Sequence, residues 1–305
     1  HANIRFSQYL DRGNFKLQVQ DVSNEIKIDK KIDFIIHAAS PASPKYYLQN
    51  PVDVICPNIF GTKNTLDLAI KNNIEGYLYF SSGEVYGEFS DDSLITESKF
   101  GHLDPTNIRS CYAESKRMGE NLCVSYGGQY NLPIRIVRPF HTYGPGMKLD
   151  DGRVFADFVK NIIASENIAL KSDGSAMRPF CYLEDATIAF FTVLLKGENN
   201  QAYNIANPDQ SMTIKSLANT LVSLFPEKNL KVVISSQSKN YSQSKIKSQI
   251  PDISKINSLG WSPKTTIEDG FKKKYTIGLI TSKDKKRTKK IIDKFKLKFK
   301  YVYSP

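Results

Sequence analysis

The chain has 305 residues, enough for one large α/β domain or for one domain with a smaller lobe. Its 40% hydrophobic and 24% charged content is ordinary for a globular protein, and no run approaches the roughly 18 apolar residues of a membrane span. The net charge of +11 is concentrated in ten Lys/Arg and two Asp between Lys283 and Lys300; the rest of the chain carries +3, so nucleic acid is not expected as a partner of the core.

"FKLQVQDV" is the first strand-like run, followed by "KIDFIIHAAS", which reads as a buried strand ending at His37. "VDVICPNIFGTKNTLDLAIKNN" has apolar positions near helical spacing, and "GYLYFSS" is the next strand. "SCYAESKRMGENLCVSYGGQY" reads as a helix with Gly127 and Gly128 near its end, and "LPIRIVRPF" as a strand. This alternation predicts an α/β fold with a doubly wound, Rossmann-like parallel sheet. After about Gly146 the pattern loosens. "GRVFADFVKNIIASEN" is an amphipathic helix, and "RPFCYLEDATIAFFTVLLKG" is a short strand and an apolar helix with Asp185 as its N-cap. "AYNIAN" is a strand, "TIKSLANTLVSLFP" a helix capped by Thr or Ser, "KVVISS" a strand, and "DISKINSLGWSP" a short helix stopped by Gly260. "SSQSKNYSQSKIKSQ" reads as an exposed loop. The expected division is residues 1–146 as a dinucleotide-binding domain, 147–271 as a smaller mixed lobe with the chain crossing back to the sheet, and 272–305 as a basic extension.

Dinucleotide-binding sheets begin with a strand, a glycine-rich turn and a helix whose N-terminus receives the pyrophosphate. No such turn precedes "FKLQVQDV". One strand–helix unit plus the next strand, roughly 30–40 residues, is expected to be missing ahead of it. The four cysteines, Cys56, Cys111, Cys123 and Cys181, form no C-x-x-C pair and fit no zinc spacing. Reduced thiols and no apolar N-terminal leader point to the cytoplasm. Few, unpaired histidines leave no metal site expected; His37 reads as structural and His102 as lying in an exposed loop.

The stretch "SSGEVYGE" closes a strand and places Ser81, Ser82 and Glu84 at the C-terminal edge of the sheet, where open α/β sheets bind ligands. "CYAESK" places Tyr112 and Lys116 four residues apart, on one face of a helix. An ammonium beside a phenol lowers the phenol pKa, which makes Tyr112 a proton acceptor near neutral pH.

The order strand-"HAAS", helix with Asn58, strand-"SSGE", helix with Y-x-x-x-K, strand-"RPF" resembles the extended short-chain dehydrogenase/reductases that modify nucleotide sugars, the NAD-dependent epimerase/dehydratase family. The likeness runs from about Asp21 to Phe271 and includes "NIFGT", "YGPG", "YNIANP" and "PDISKINSLGWSP". "HAASPASP", the approach to the tyrosine, "DDGRV" and Arg178-x-Phe180 most resemble the UDP-glucuronate decarboxylases. The resemblance implies NAD as cofactor, a nucleotide sugar as substrate and a homodimer formed through the helices around Tyr112 and after Asn58. It places Asp21 and Val22 beside the adenine, and Ala38, Ala39 and Ser40 along the phosphates and ribose, with Asn58 among the cofactor residues. Tyr112 and Lys116 hold the nicotinamide ribose and act on the sugar, and Pro139 lies near the carboxamide. Ser82 bonds the sugar 4-hydroxyl and Glu84 works in the sugar pocket. Arg178 reaches the sugar or its carboxylate, and Arg153 the diphosphate. By the same resemblance the reaction passes through a 4-keto sugar, with a 4-epimerase or 4,6-dehydratase as the alternative; the missing glycine-rich turn keeps open an alternative of another class, a non-catalytic binding member of the family.

Two residues depart from that pattern. Where the 4,6-dehydratases carry an Asp and the decarboxylases a Ser or Thr, this chain has Gly83. The dehydratase reading loses its general acid, the decarboxylase reading loses a hydroxyl, and a 4-epimerase needs neither. His141 stands where the decarboxylases usually show Asn, near the diphosphate. In the tail, Ile291, Ile292, Phe295 and Phe299 have roughly helical spacing, which reads as a solvated extension, or as a docking segment for a subunit or an acidic surface such as anionic lipid, with RNA as a further alternative.

Overall fold

The computed structural model describes residues 7–235 and 248–280 except 90 and 92, with side chains at 9–235 and 248–273. Four strands, β1 (Phe34–His37), β2 (Gly76–Phe80), β3 (Ile134–Pro139) and β8 (Gln201–Ile205), lie parallel in the order β1-β2-β3-β8. Crossovers between them are made by helices α1 (Pro44–Gln49), α2 (Pro51–Asn72), α3 (Cys111–Tyr130) and α5 (Leu183–Lys196). α2 and α3 cover one face, α5 the other. Successive residues of β2 alternate between them: Tyr77 and Tyr79 pack with Leu66, Cys123 and Ile136, while Leu78 packs with Val137, Ala189 and Val193. A strand buried on both faces reads as a continuous apolar run, which is why "GYLYF" signals a parallel sheet. Both crossover helices end on an asparagine in the left-handed region, Asn73 at φ 47° and Asn131 at φ 53°.

The excursion from β3 to β8 builds the second lobe. It holds β4 (Thr142–Tyr143), α4 (Val154–Ala164), β5 (Ile168–Leu170), β6 (Met177–Pro179) and β7 (Cys181–Tyr182). Beyond β8 come β9 (Ser211–Thr213), α6 (Ile214–Ser223), β10 (Val232–Ile234), α7 (Ser254–Asn257) and α8 (Ile267–Ile280). Three two-stranded pairs result: β4 with β7 and β5 with β10 are parallel, and β6 with β9 antiparallel. A separate aromatic core of Tyr143, Phe155, Phe158, Phe180 and Phe271 fills this lobe. α7 returns to the sheet, with Ile256 and Trp261 in the core beneath α5. Among the described residues no helix is long and apolar enough to cross a membrane.

Four expectations change. "FKLQVQDV" forms no strand: it has no partner among the described strands, Val19 is exposed, and Gln18 and Gln20 bond each other and the carbonyls of Lys27 and Glu25 instead. β1 is buried only at its last residue, His37: Phe34 and Ile36 are 43% and 45% exposed, because β1 pairs only with β2 among the described strands. Asp185 is not an N-cap, since α5 is capped by Tyr182. Asp185 sits in the first turn, where its carboxylate accepts the N–H groups of Lys264 (3.0 Å) and Thr265 (2.8 Å) and ties the returning chain to α5. Gln249, placed in an exposed loop by its surroundings, is 4% exposed; the rest of that loop from 236 to 247, and the tail from 281, lie outside the described residues. The Thr213 cap on α6 is present, with its hydroxyl accepting Ser216 N–H at 3.0 Å.

Arg138, near the end of β3, joins three elements. Its guanidinium forks onto the Glu120 carboxylate of α3 (2.8 and 2.6 Å) and donates to Tyr86 (2.9 Å), which donates to Asn204 of β8 (2.6 Å). A buried pair stays favourable when its remaining donors are matched in this way.

Gly119 of α3 faces the buried hydroxyl of Tyr79, which a methyl at that position would overlap. Alanine normally improves a helix by about 1 kcal/mol over glycine. Overpacking costs about 1–3 kcal/mol. Gly119→Ala is therefore expected to destabilise the protein in thermal or denaturant unfolding, and Tyr79→Phe in the same chain to recover part of the loss.

Candidate active site

Tyr112 and Lys116 lie on the first turns of α3, at the C-terminal ends of β1 and β2, and are 6% and 2% exposed. The Lys116 ammonium donates to the carbonyl of Phe80, the last residue of β2, at 2.6 Å. It stands 5.1 Å from the ring centre of Tyr79 and 5.9 Å from that of Tyr112. Burial brings its pKa down from 10.5 to about 7.

The Tyr112 phenol is not lowered, as its spacing from Lys116 had implied, but pushed up to about 12. Burial is the largest cause, and Glu84 adds to it. Ser82, Arg153 and Ser40 pull the other way, although the Ser40 hydroxyl closes no complete hydrogen bond. Lys116 fails to compensate because it is desolvated too and has surrendered much of its own charge.

Ser82 caps a single 3₁₀ turn, Gly83–Tyr86, by accepting the N–H of Glu84 at 3.2 Å. The turn aims Glu84 at Arg109, with an N–O separation of 3.5 Å. Arg109 also lies over the ring of Tyr47 (4.7 Å), and Tyr47 stacks on Tyr112 with ring centres 4.9 Å apart and planes at 11°. Tyr47 and Arg109 were not singled out in the sequence. Arg109 lies three residues ahead of Tyr112, a spacing that points to the same side of a helical turn. Tyr47 depends on a long-range contact and left no such signal.

At Gly83 a Cβ would stand 2.7 Å from the ring of the buried Phe140. The turn has no room for a side chain there unless that ring shifts.

The opposite wall comes from the second lobe. Arg153 precedes α4 and forks onto Asp151 (2.5 and 3.1 Å) rather than standing free. The Ser43 hydroxyl donates to the Asp151 carbonyl, and the Lys45 ammonium donates to that of Asp150 at 3.0 Å, so the start of α1 clasps this loop. Arg178 on β6 is buried and donates to the Met177 carbonyl at 2.7 Å. His141 stands edge-on to Phe180 at 5.9 Å with its Nδ1 buried and unpartnered. Burial, then Arg178 and Arg153, bring its pKa down to about 3, so it is neutral. Arg153 thus influences both Tyr112 and His141.

The remaining expected residues lie along the strand ends. Ala38 and Ala39 are exposed after β1, and Pro139 closes β3. Asn58 is fully buried; its amide donates to Ser115 at 2.9 Å while its Oδ1 has no partner. His37 bonds Thr62 at 3.1 Å, and burial brings its pKa to about 3, in keeping with a structural role. Val22 is held to α2 by Asn64, which donates to its carbonyl at 2.9 Å, and the Asp21 carboxylate accepts the N–H of Ser23 at 2.8 Å. Among the described residues no group of three His, Cys, Asp or Glu is placed to hold a metal ion.

A dinucleotide fits this wall. Ser40 Oγ, Ser81 Oγ and Asn58 Oδ1 are buried polar atoms without partners. Buried polar atoms are normally paired; the two serine hydroxyls at the ends of β1 and β2 can donate to ribose or phosphate oxygens, whereas the Asn58 oxygen can only accept and lies deeper.

A parallel sheet whose strand ends gather a buried tyrosine, lysine and serine beside unpartnered polar atoms has its candidate ligand site where open α/β sheets bind dinucleotides. The chain belongs to the NAD dependent epimerase/dehydratase family, whose model matches residues 10–206. It is 36% identical over 269 residues to UDP-glucuronic acid decarboxylase 6 of Arabidopsis thaliana, covering 87% of this chain and 74% of that one. It is 32% identical over 266 residues to UDP-glucuronic acid decarboxylase 1 of Danio rerio, covering 87% of this chain and 61% of that one. Among solved structures, the UDP-glucose 4-epimerase of Thermotoga maritima matches with TM-score 0.71 at 24% identity, over 80% of this chain and 76% of that one. The UDP-glucuronic acid 4-epimerase of Bacillus cereus, in complex with UDP-glucuronic acid and NAD, matches with TM-score 0.68 at 24% identity, over 80% and 74%. These structures share the fold.

The Lys116 pKa makes a sign-specific prediction. From about pH 7 to 10.5 the unfolded chain holds a proton that the folded chain lacks, so this residue makes stability rise with pH across that window. Lys116→Met is expected to flatten the rise and to gain most over the natural chain below about pH 7, as read by thermal melts across the window.

Proposed function

We propose that this protein is an NAD-dependent enzyme that oxidises a nucleotide sugar at C4, with UDP-glucuronate as substrate and decarboxylation as outcome. The observation that carries the reading is the Tyr112 phenol, buried between Ser82, Glu84 and Arg153 at the sheet's C-terminal edge, in a chain whose relatives are UDP-glucuronic acid decarboxylases. Asp21 and Val22 would hold the adenine end of NAD, and Ala38, Ala39 and Ser40 its phosphates and ribose. Tyr112 and Lys116 would hold the nicotinamide ribose and Pro139 would lie near the carboxamide, with Asn58 among the cofactor residues behind them. A bound nicotinamide supplies and takes back hydride.

The protein's own part is proton handling and charge placement. A phenol at about 12 keeps its proton at neutral pH, so accepting the O4 proton requires added positive charge nearby. Lys116 stands 5.9 Å from the ring centre, and the Arg153 guanidinium pulls the phenol pKa down, so a proton on Lys116 and the Arg153 charge act in the same direction. Ser82 bridges the sugar hydroxyl and the phenol. The three guanidiniums of Arg109, Arg153 and Arg178, with the neutral His141, suit a substrate that carries a diphosphate and a carboxylate. Glu84, held by Arg109, would work in the sugar pocket. We propose the same division as in the sequence: a cofactor domain to about residue 146, then the substrate lobe.

A second reading is 4-epimerisation, which Gly83 favours. The position offers no hydroxyl, Phe140 occupies the space for one, and inversion at C4 needs no group there. A 4,6-dehydratase needs an acid there and is disfavoured. Incubation with UDP-glucuronate and NAD⁺, with products read by mass spectrometry, is expected to show CO₂ release and a UDP-pentose. A UDP-hexuronate isomer would establish the epimerase instead. Tyr112→Phe is expected to lower kcat by about 10²–10⁴.

We also propose a cytoplasmic homodimer. The described cysteines are all unbridged. Phe60 of α2 and Met118 and Val124 of α3 are exposed on adjoining helices, an apolar face suited to a second copy. Light scattering is expected to give the dimer mass for the natural chain and the monomer mass for Phe60→Lys.

A further inference from the structure

Gln249 stands outside every role assigned so far. A carboxamide buried to 4% exposure costs free energy unless it is hydrogen-bonded. Its Nε2 donates to the carbonyl of Gly83 at 3.5 Å. The backbone on either side of it is a tie between the two walls of the cleft. Ser248 pairs with Met177, the neighbour of Arg178 on β6. Pro251 pairs with Ile95, whose N–H bonds the carbonyl of Ile250 (2.9 Å) and whose carbonyl accepts the N–H of Asp252 (3.0 Å). Gln249 therefore lies between the strand that carries Arg178 and the turn that carries Glu84. That turn cannot supply a side chain of its own at Gly83, because Phe140 fills the place. The contact comes instead from the other lobe.

We propose that Gln249 is a positioning residue that holds the Gly83–Glu84 turn in register with β6, so that Glu84 and Arg178 engage one and the same sugar. The inference rests on the nucleotide-sugar reading above for its kinetic consequence. A bond of 3.5 Å is long, and such contacts tighten when the walls are drawn together around a substrate. An interaction that strengthens as the site closes acts on kcat more than on KM.

The test uses the full chain with NAD⁺ and UDP-glucuronate, comparing Gln249→Leu, which keeps the bulk and loses the donor, with Gln249→Glu, which turns an oxygen toward the Gly83 carbonyl. Both are expected to lose about tenfold or more in kcat, with KM within about threefold of the natural chain. Hydrogen exchange supplies a second readout that needs no turnover. The N–H groups of Val85 and Gly87, bonded to the carbonyls of Ser82 and Glu84, are expected to exchange about tenfold faster in Gln249→Leu. A natural kcat in Gln249→Leu, a loss confined to KM, or unchanged exchange at both amides would overturn the assignment. If the natural chain turns over no nucleotide sugar, the functional reading has failed, and the exchange rates still decide the role of Gln249.

Discussion

The Lys116 ammonium donates to the last carbonyl of β2 from the first turns of α3, and the rest of the site is arranged around the cost of that contact. Burying the lysine strips water from the same volume that holds the Tyr112 phenol. Two groups that would help each other in water therefore both drift toward neutrality, the lysine downward and the tyrosine upward. The pocket is poised rather than charged. Its activity depends on what enters it: a cation beside the phenol, or an anion that holds the guanidiniums of the far wall in place.

The charges that remain are unevenly divided between the walls. On the sheet side Glu84 is matched by Arg109, and Arg109 leans on Tyr47, which stacks on Tyr112. A change at any of these is transmitted through flat, stacked groups that have little freedom to adjust. On the lobe side Arg153 is matched by Asp151, while His141 stays neutral under two arginines. In the proposed reading Arg153 exchanges one anionic partner for another when a diphosphate binds, so its contribution is a difference between two ion pairs.

Much of this was legible in the sequence, and the failures have a common cause. Tyr112 and Lys116 declare themselves because helical spacing alone puts them on one face. Ser82 and Glu84 follow from a strand end. The alternation of both faces of β2 is visible in "GYLYF" because each residue is apolar. The phenol pKa was misjudged because burial is a tertiary property, whereas the lysine's proximity is a local one. "FKLQVQDV" has strand composition, but a strand exists only through its neighbours, and none is present among the described residues. Asp185 resembles a cap yet serves as an acceptor for a segment some 80 residues later. Tyr47 and Gln249 matter through contacts 65 and 166 residues away in sequence, beyond the reach of any periodicity.

The amide of Asn58 bonds Ser115 in the fully buried seam between α2 and α3, one turn from Tyr112. Close-packed seams of this kind have discrete arrangements rather than a continuum. The sheet-side wall is therefore a fixed template, and sugars of different size or ring pucker have to be met by the other wall. The loop of that wall that carries Arg153 is joined to the sheet side through the Ser43 hydroxyl and the Lys45 ammonium, each on a backbone carbonyl. Changes of substrate during divergence are cheapest in the exposed part of that loop, residues 148 to 150, which lies ahead of the Asp151–Arg153 pair and leaves Tyr112 and Lys116 untouched.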